Sequence, residues 1–193
     1  MRSVCVFTGS SDGNNTAYRH AAESLGRETA QRKMTLVYGG ATVGLMGCVA
    51  NAALDQGGTV LGILPEALAN LEIAHKNLSE LRIVDSMHTR KMAMADNADA
   101  FIAMPGGLGT LEEIFEVWTW TQLGIHAKPL GFLNVEGYYD GLFAFLDNAV
   151  EAGFVKTTHR KLAVAHSDPC CLLDLLSEAN VKYESKLDSS LKP

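Results

Sequence analysis

The sequence predicts an α/β protein: a single Rossmann-like, doubly wound parallel sheet with helices on both faces. Two observations carry this. Short β-rich runs alternate with longer amphipathic ones, the signature of successive βαβ units. Four of the short runs also end in glycine, hydroxyl or charged residues, as the ligand-facing edge of such a sheet does. The chain has 193 residues, inside the single-domain range and long enough to bury roughly two-thirds of its unfolded surface. One domain over residues 1–180 with a polar tail over 181–193 is expected.

In order, the run Val4–Thr8 reads as a strand closed by Thr8-Gly9-Ser10-Ser11, followed by a helix pattern at about 15–32. Thr35–Tyr38 is closed by Gly39-Gly40-Ala41-Thr42-Val43-Gly44 and leads into a helix at about 44–56. Thr59–Leu64 is followed by the one long irregular connection, Pro65–Ser79, of a length that is often functional. Leu81–Val84 ends in Asp85-Ser86-Met87-His88-Thr89-Arg90-Lys91 and a helix at about 86–98; Ala100–Met104 ends in Pro105-Gly106-Gly107-Leu108-Gly109-Thr110 and a helix at about 110–124. Pro129–Leu133, a helix at 138–152, Leu162–Ala165 and a last helix at 168–178 complete the pattern. Right-handed crossovers put every parallel strand's C-terminal end on one edge, so the four glycine- and charge-rich ends converge on one crevice.

Sixteen Lys plus Arg against 22 Asp plus Glu leave a formal charge of −6, so nothing suggests a basic surface for nucleic acid or anionic membrane. No apolar run approaches a bilayer span, and Met1-Arg2-Ser3 leads directly into a strand rather than into the apolar core of a secretory signal; a cytoplasmic protein is expected. Cys5, Cys48, Cys170 and Cys171 show no C-x-x-C spacing, and reduced thiols are expected rather than disulfides or zinc.

Gly106–Thr110 follows a strand and opens a helix, so its backbone N–H groups and the positive helix end suit a phosphate, with the Thr110 hydroxyl as a further donor. It is not a dinucleotide fingerprint, because Glu112 stands where the last glycine belongs, and Gly39–Gly44 lacks the Lys-Ser/Thr of a Walker A loop. Thr110-Leu111-Glu112-Glu113 also reads as a capping box, the structural account of Glu113; the functional one is a carboxylate held as an anion beside a ligand crevice. Ser86 reads as an N-cap that puts Arg90 and Lys91 near a helix start, where cations call for an anionic partner: a ligand, or for Arg90 a carboxylate such as Asp85 or Glu113. His88 has no ligand-spaced companions, so no metal site is expected. The stripe of Leu111, Ile114, Phe115 and Trp118, widened by Val117, Trp120 and Leu123, exceeds what one sheet face covers, which points to a neighbouring helix or a homodimer, with the homodimer preferred. Met87, Met92 and Met94 read as core packing.

Ser86-Met87-His88-Thr89-Arg90-Lys91, then the 13 residues Met92–Met104, then Pro105-Gly106-Gly107-Leu108-Gly109-Thr110-Leu111-Glu112-Glu113 resemble the Lonely Guy family of cytokinin-activating phosphoribohydrolases. The likeness extends through Tyr38-Gly39-Gly40, Gly44-Leu45-Met46-Gly47 and Gln122–Pro129 to about residue 170. Members were often labelled lysine decarboxylases, yet no pyridoxal-phosphate site is recognisable here. The resemblance implies hydrolysis of the N-glycosidic bond of N6-substituted adenosine 5′-monophosphates to free base and ribose 5-phosphate, without metal or redox cofactor. It implies Arg90 and Glu113 as the catalytic pair, Gly107, Leu108, Gly109 and Thr110 as the phosphate site, and Glu72, Lys91 and Thr119 as further substrate contacts; Gly106, Gly39 and Gly40 join the candidate site from the glycine runs themselves, which suit either phosphate binding or tight turns. The competing readings are an AMP nucleosidase of broad purine specificity and a non-catalytic nucleotide carrier. No residue of the sequence stands out as the donor that protonates the leaving purine.

Overall fold

The computed structural model describes residues 1–69 and 74–181. Among these, β1 (Ser3–Phe7), β2 (Thr35–Tyr38), β3 (Thr59–Pro65), β4 (Glu80–Val84), β5 (Ala100–Ala103), β6 (Leu130–Leu133) and β7 (Ala163–His166) form one sheet in the order β4-β3-β2-β1-β5-β6-β7, every pairing parallel. The order reverses between β1 and β5, so the crevice expected of a doubly wound sheet opens where Thr8-Gly9 and Pro105-Gly106 leave those strands. Gly9 N donates to Pro105 O at 3.1 Å, tying the two strand ends together.

The strands are buried on both faces because successive side chains point to opposite layers. Val4, Val6, Leu36, Tyr38 and Ile102 pack under α1 (Thr16–Gln31), α2 (Gly44–Asp55) and α8 (Pro169–Glu178). Cys5, Phe7, Val37, Phe101 and Phe132 pack under α4 (Met87–Asp96), α5 (Leu108–Leu123) and α6 (Asp140–Glu151). The long connection holds a short α3 (Glu66–Ala69), and α7 (Thr157–Arg160) precedes β7. Every strand and helix expected from the sequence is present, with ends within a residue or two of the expectation.

Three expectations need correction. Helix α5 begins at Leu108 with Gly107 as its N-cap, so Thr110 is not the cap and the capping box with Glu113 does not form. Glycine accepts the extended cap geometry without a side chain and brings the backbone in closer than threonine allows. Trp118 is only 5% exposed and so is not an interface residue: its Nε1 donates to His159 O at 2.9 Å from α7, and Phe115 and Phe132 flank the ring, so a neighbouring helix covers this side of α5. Of the three methionines, only Met94 is core; Met87 and Met92 stand exposed on α4. Glu72 and the tail beyond residue 181 lie outside the described residues. The four cysteines are free. No helix among the described residues is long and apolar enough to cross a membrane.

Candidate active site

Helix α4 starts as the sequence suggests: the Ser86 hydroxyl accepts from Thr89 N at 3.1 Å. One turn in, Arg90 is 7% exposed and its guanidinium is held on three sides. Nε donates to the Ile63 carbonyl of β3 at 3.1 Å, Nη1 donates to Glu113 Oε1, and Nη2 lies over Gly39 just past β2. A β-carbon on residue 39 would fall 2.2 Å from Nη2, so glycine is what lets the guanidinium lie against the backbone. The anionic partner that a cation near a helix start requires is thus a carboxylate from the neighbouring helix.

Glu113 stands in the second turn of α5 and is 9% exposed. Burial pushes its carboxyl above the ordinary 4.5, because removing water penalises the charged form; the Arg90 charge and hydrogen bond oppose this without cancelling it. A buried pair of this kind stabilises little net, but loss of either partner strands the other charge, at about 3–5 kcal/mol.

Beside the pair, the glycine-rich loop presents bare backbone. The first intrahelical bond of α5 runs from Leu111 N to Gly107 O at 3.1 Å, which leaves the N–H groups of residues 107–110 ahead of it without intrahelical acceptors. Added β-carbons at Gly107 and Gly109 would meet nothing within 4 Å, so this surface is open, and Leu108 is 86% exposed. Gly106 has a different reason to be glycine: its β-carbon would lie 2.1 Å from the buried Thr110 hydroxyl. An α-helix N-terminus with these free donors and a buried ion pair within two turns is equipped to hold an anion next to a carboxylate.

The remaining candidates divide. Lys91 turns away from the loop onto α5, with Nζ bonded to Glu112 and 3.1 Å from Glu116 Oε1; burial works to lower its pKa, but these two carboxylates prevail and raise it. Gly40 has φ +77° and its carbonyl accepts from His75 N at 2.9 Å, so it serves the turn after β2. Thr119 is exposed on α5, its hydroxyl donating to the Phe115 carbonyl. Two participants escape sequence reasoning: the Ile63 carbonyl, because any residue has one, and Tyr138, whose hydroxyl donates to Gly106 O at 2.6 Å from the loop after β6. A cavity of about 320 Å³ between Gly9–Gly13, Tyr18, Leu45, Gly106 and Tyr138 lies on the α1 side of this loop.

The family described as "Possible lysine decarboxylase" matches residues 46–176. A probable cytokinin riboside 5′-monophosphate phosphoribohydrolase of Oryza sativa subsp. japonica, LOGL9, is 53% identical over 92% of this chain and 78% of its own length. The cytokinin riboside 5′-monophosphate phosphoribohydrolase LOG2 of Arabidopsis thaliana is 50% identical over 95% of this chain and 86% of its own. The chain belongs to the Lonely Guy family. Solved structures add the fold alone: a molybdenum cofactor binding protein from Rippkaea orientalis superposes with a TM-score of 0.70 at 23% identity over 91% of this chain and 95% of that one. TM1055 gives 0.72 at 22% over 93% and 100%. In this Lonely Guy chain, the segments Ser86–Lys91 and Pro105–Glu113 meet through the Arg90–Glu113 pair.

Proposed function

We propose that this chain hydrolyses the N-glycosidic bond of N6-substituted adenosine 5′-monophosphates, releasing the free cytokinin base and ribose 5-phosphate, as a cytoplasmic homodimer. The observation that carries the reading is the buried Arg90–Glu113 pair within two turns of an anion-receptive helix terminus, in a chain about half identical to named phosphoribohydrolases. Gly106–Thr110 holds the 5′-phosphate. Breaking the C1′–N9 bond builds oxocarbenium charge on the ribose, which the Glu113 carboxylate stabilises while orienting the attacking water, by analogy with glycoside hydrolysis. Arg90 fixes the carboxylate and opposes the rise in its pKa that burial causes. Thr119 is carried over as a substrate contact from family membership; its hydroxyl is exposed on α5 and donates to the Phe115 carbonyl. Glu72 and Lys91 follow as contacts by family membership, Lys91 by way of the Glu112–Glu116 side of α5.

Decarboxylation through a pyridoxal Schiff base fits these residues poorly. That chemistry needs a lysine amine that loses its proton readily, whereas Lys91, the lysine next to the pair, has its pKa raised by Glu112 and Glu116 against the opposing effect of burial.

The test is to incubate the pure protein with isopentenyl-AMP, AMP and isopentenyl-adenosine and to quantify free base and ribose 5-phosphate. The expected order is isopentenyl-AMP over AMP, with the nucleoside far below its monophosphate, because the phosphate gains hydrogen bonds whose energy positions the glycosidic bond. Equal rates for AMP would make the enzyme a broad nucleosidase. Equal kcat/KM for nucleotide and nucleoside would reject the phosphate site.

A further inference from the structure

The three peptide carbonyls that precede α5 are each taken by a donor from outside the helix. Met104 O accepts from the Tyr139 hydroxyl, Pro105 O accepts from Gly9 N at 3.1 Å and from the Thr8 hydroxyl at 3.2 Å, and Gly106 O accepts from the Tyr138 hydroxyl at 2.6 Å. These are the acceptors, four residues back, that the N–H groups of Leu108, Gly109 and Thr110 would use if the helix wound one turn further. Occupying them stops the helix at Gly107 and leaves those N–H groups free. The Gly106–Gly107 peptide is trans, so a carbonyl drawn toward Tyr138 sends the Gly107 N–H the opposite way.

The three restraints differ in kind. The Met104 and Pro105 carbonyls are held by buried Tyr139 and by the residues that leave β1, while Tyr138 is 42% exposed and reaches in from the loop after β6. That loop is shaped for the purpose. Asn134 Oδ1 accepts from Tyr139 N at 2.7 Å, Asn134 Nδ2 donates to Asp140 Oδ1 at 2.7 Å, and Glu136 and Gly137 both take positive φ, 51° and 71°. The Tyr138 ring is steadied edge-on by Tyr18 and Tyr139, with centroids 5.6 and 4.9 Å away.

We propose that Tyr138 is a positioning residue for phosphate recognition: by holding the Gly106 carbonyl, its hydroxyl keeps the Gly107–Thr110 N–H groups directed at the phosphate. This rests on the phosphoribohydrolase reading for the identity of the anion. Without the hydroxyl, the Gly106 carbonyl is released to accept from Thr110 N–H, and the loop loses a donor.

The experiment compares wild type with Tyr138→Phe, which retains the ring and its packing. Calorimetric titration with ribose 5-phosphate, which needs no turnover, is expected to show a dissociation constant raised about tenfold, the scale of one hydrogen bond. The kcat/KM for isopentenyl-AMP falls by a similar factor, mostly through KM, while that for isopentenyl-adenosine and the melting temperature stay unchanged. A fall shared equally by nucleotide and nucleoside, or unchanged ribose 5-phosphate binding, overturns the proposal and leaves the proposed activity standing. Wild type that binds ribose 5-phosphate through Tyr138 but releases no base supports the positioning role and sinks the activity; wild type that binds none overturns the positioning role, and base release from isopentenyl-AMP then decides the activity by itself.

Discussion

Gly39 and Arg90 share one volume: the space a β-carbon would need on residue 39 is occupied by Arg90 Nη2, 2.2 Å from where that carbon would sit. Arg90 has no room to retreat, because its Nε is bonded to Ile63 O and its Nη1 to Glu113. Gly39→Ala is therefore expected to lower kcat by at least about tenfold by displacing the guanidinium, with ribose 5-phosphate binding kept, since about 1.4 kcal/mol of lost transition-state stabilisation suffices for that factor. Steady-state kinetics with a melting curve check this; an alanine variant of normal kcat would mean Arg90 does not set the geometry.

Glu113→Gln preserves the side chain's shape and one acceptor but removes its charge. Turnover is expected to fall by at least about 10²-fold, the scale for a charge-stabilising or general-base group, while ribose 5-phosphate binding changes little. Turnover near wild type would reduce Glu113 to a structural partner of Arg90.

The acid limb of kcat should lie above the ordinary carboxylate range. The proposed reaction uses Glu113 ionised, and burial raises its pKa above 4.5, so kcat is expected to climb with pH through that raised value. Stability runs the other way. The folded protein holds this proton more tightly than the unfolded chain, so the contribution is fully present below 4.5 and is lost as pH rises through the folded pKa. A pH–rate profile whose acid limb sits at or below 4.5 would show that the Arg90 charge, not burial, governs the group.

Light scattering is expected to report twice the 20.8 kDa chain mass, and Trp118→Ala should not change that mass. Trp118 is committed inside the protomer to His159 and Phe132, so its truncation should cost about 3–5 kcal/mol of stability instead. The apolar side chains exposed toward a second copy include Met87 and Met92 on α4 and Ile125 just past α5. A monomer at micromolar concentration would reject the dimer, and a monomeric Trp118→Ala that keeps its fold would return Trp118 to the interface.

The sequence by itself determined the order and kind of the seven strands and the six longer helices, though not the one-turn helices α3 and α7, because strand and helix periodicities are local and need more than one turn to show, and the Lonely Guy motifs stand at strand ends, which a parallel sheet gathers on one edge. It also singled out Arg90, Glu113 and Gly106–Thr110. What it left open were choices between partners distant in the chain. Thr110 and Gly107 both suit a helix start, and closure against Gly9 and Tyr138 decided for Gly107. Lys91 sits beside Arg90 in sequence, yet one helical step, about 100°, turns it from the sheet edge to Glu112 and Glu116. The wide apolar surface of α5 fits a subunit interface or a neighbouring helix equally well, and only the approach of α7 covered Trp118. Each of these outcomes depends on a contact between residues far apart in the chain, from 21 positions for Lys91 and Glu112 to 97 for Thr8 and Pro105. No local pattern encodes which of several compatible groups arrives there.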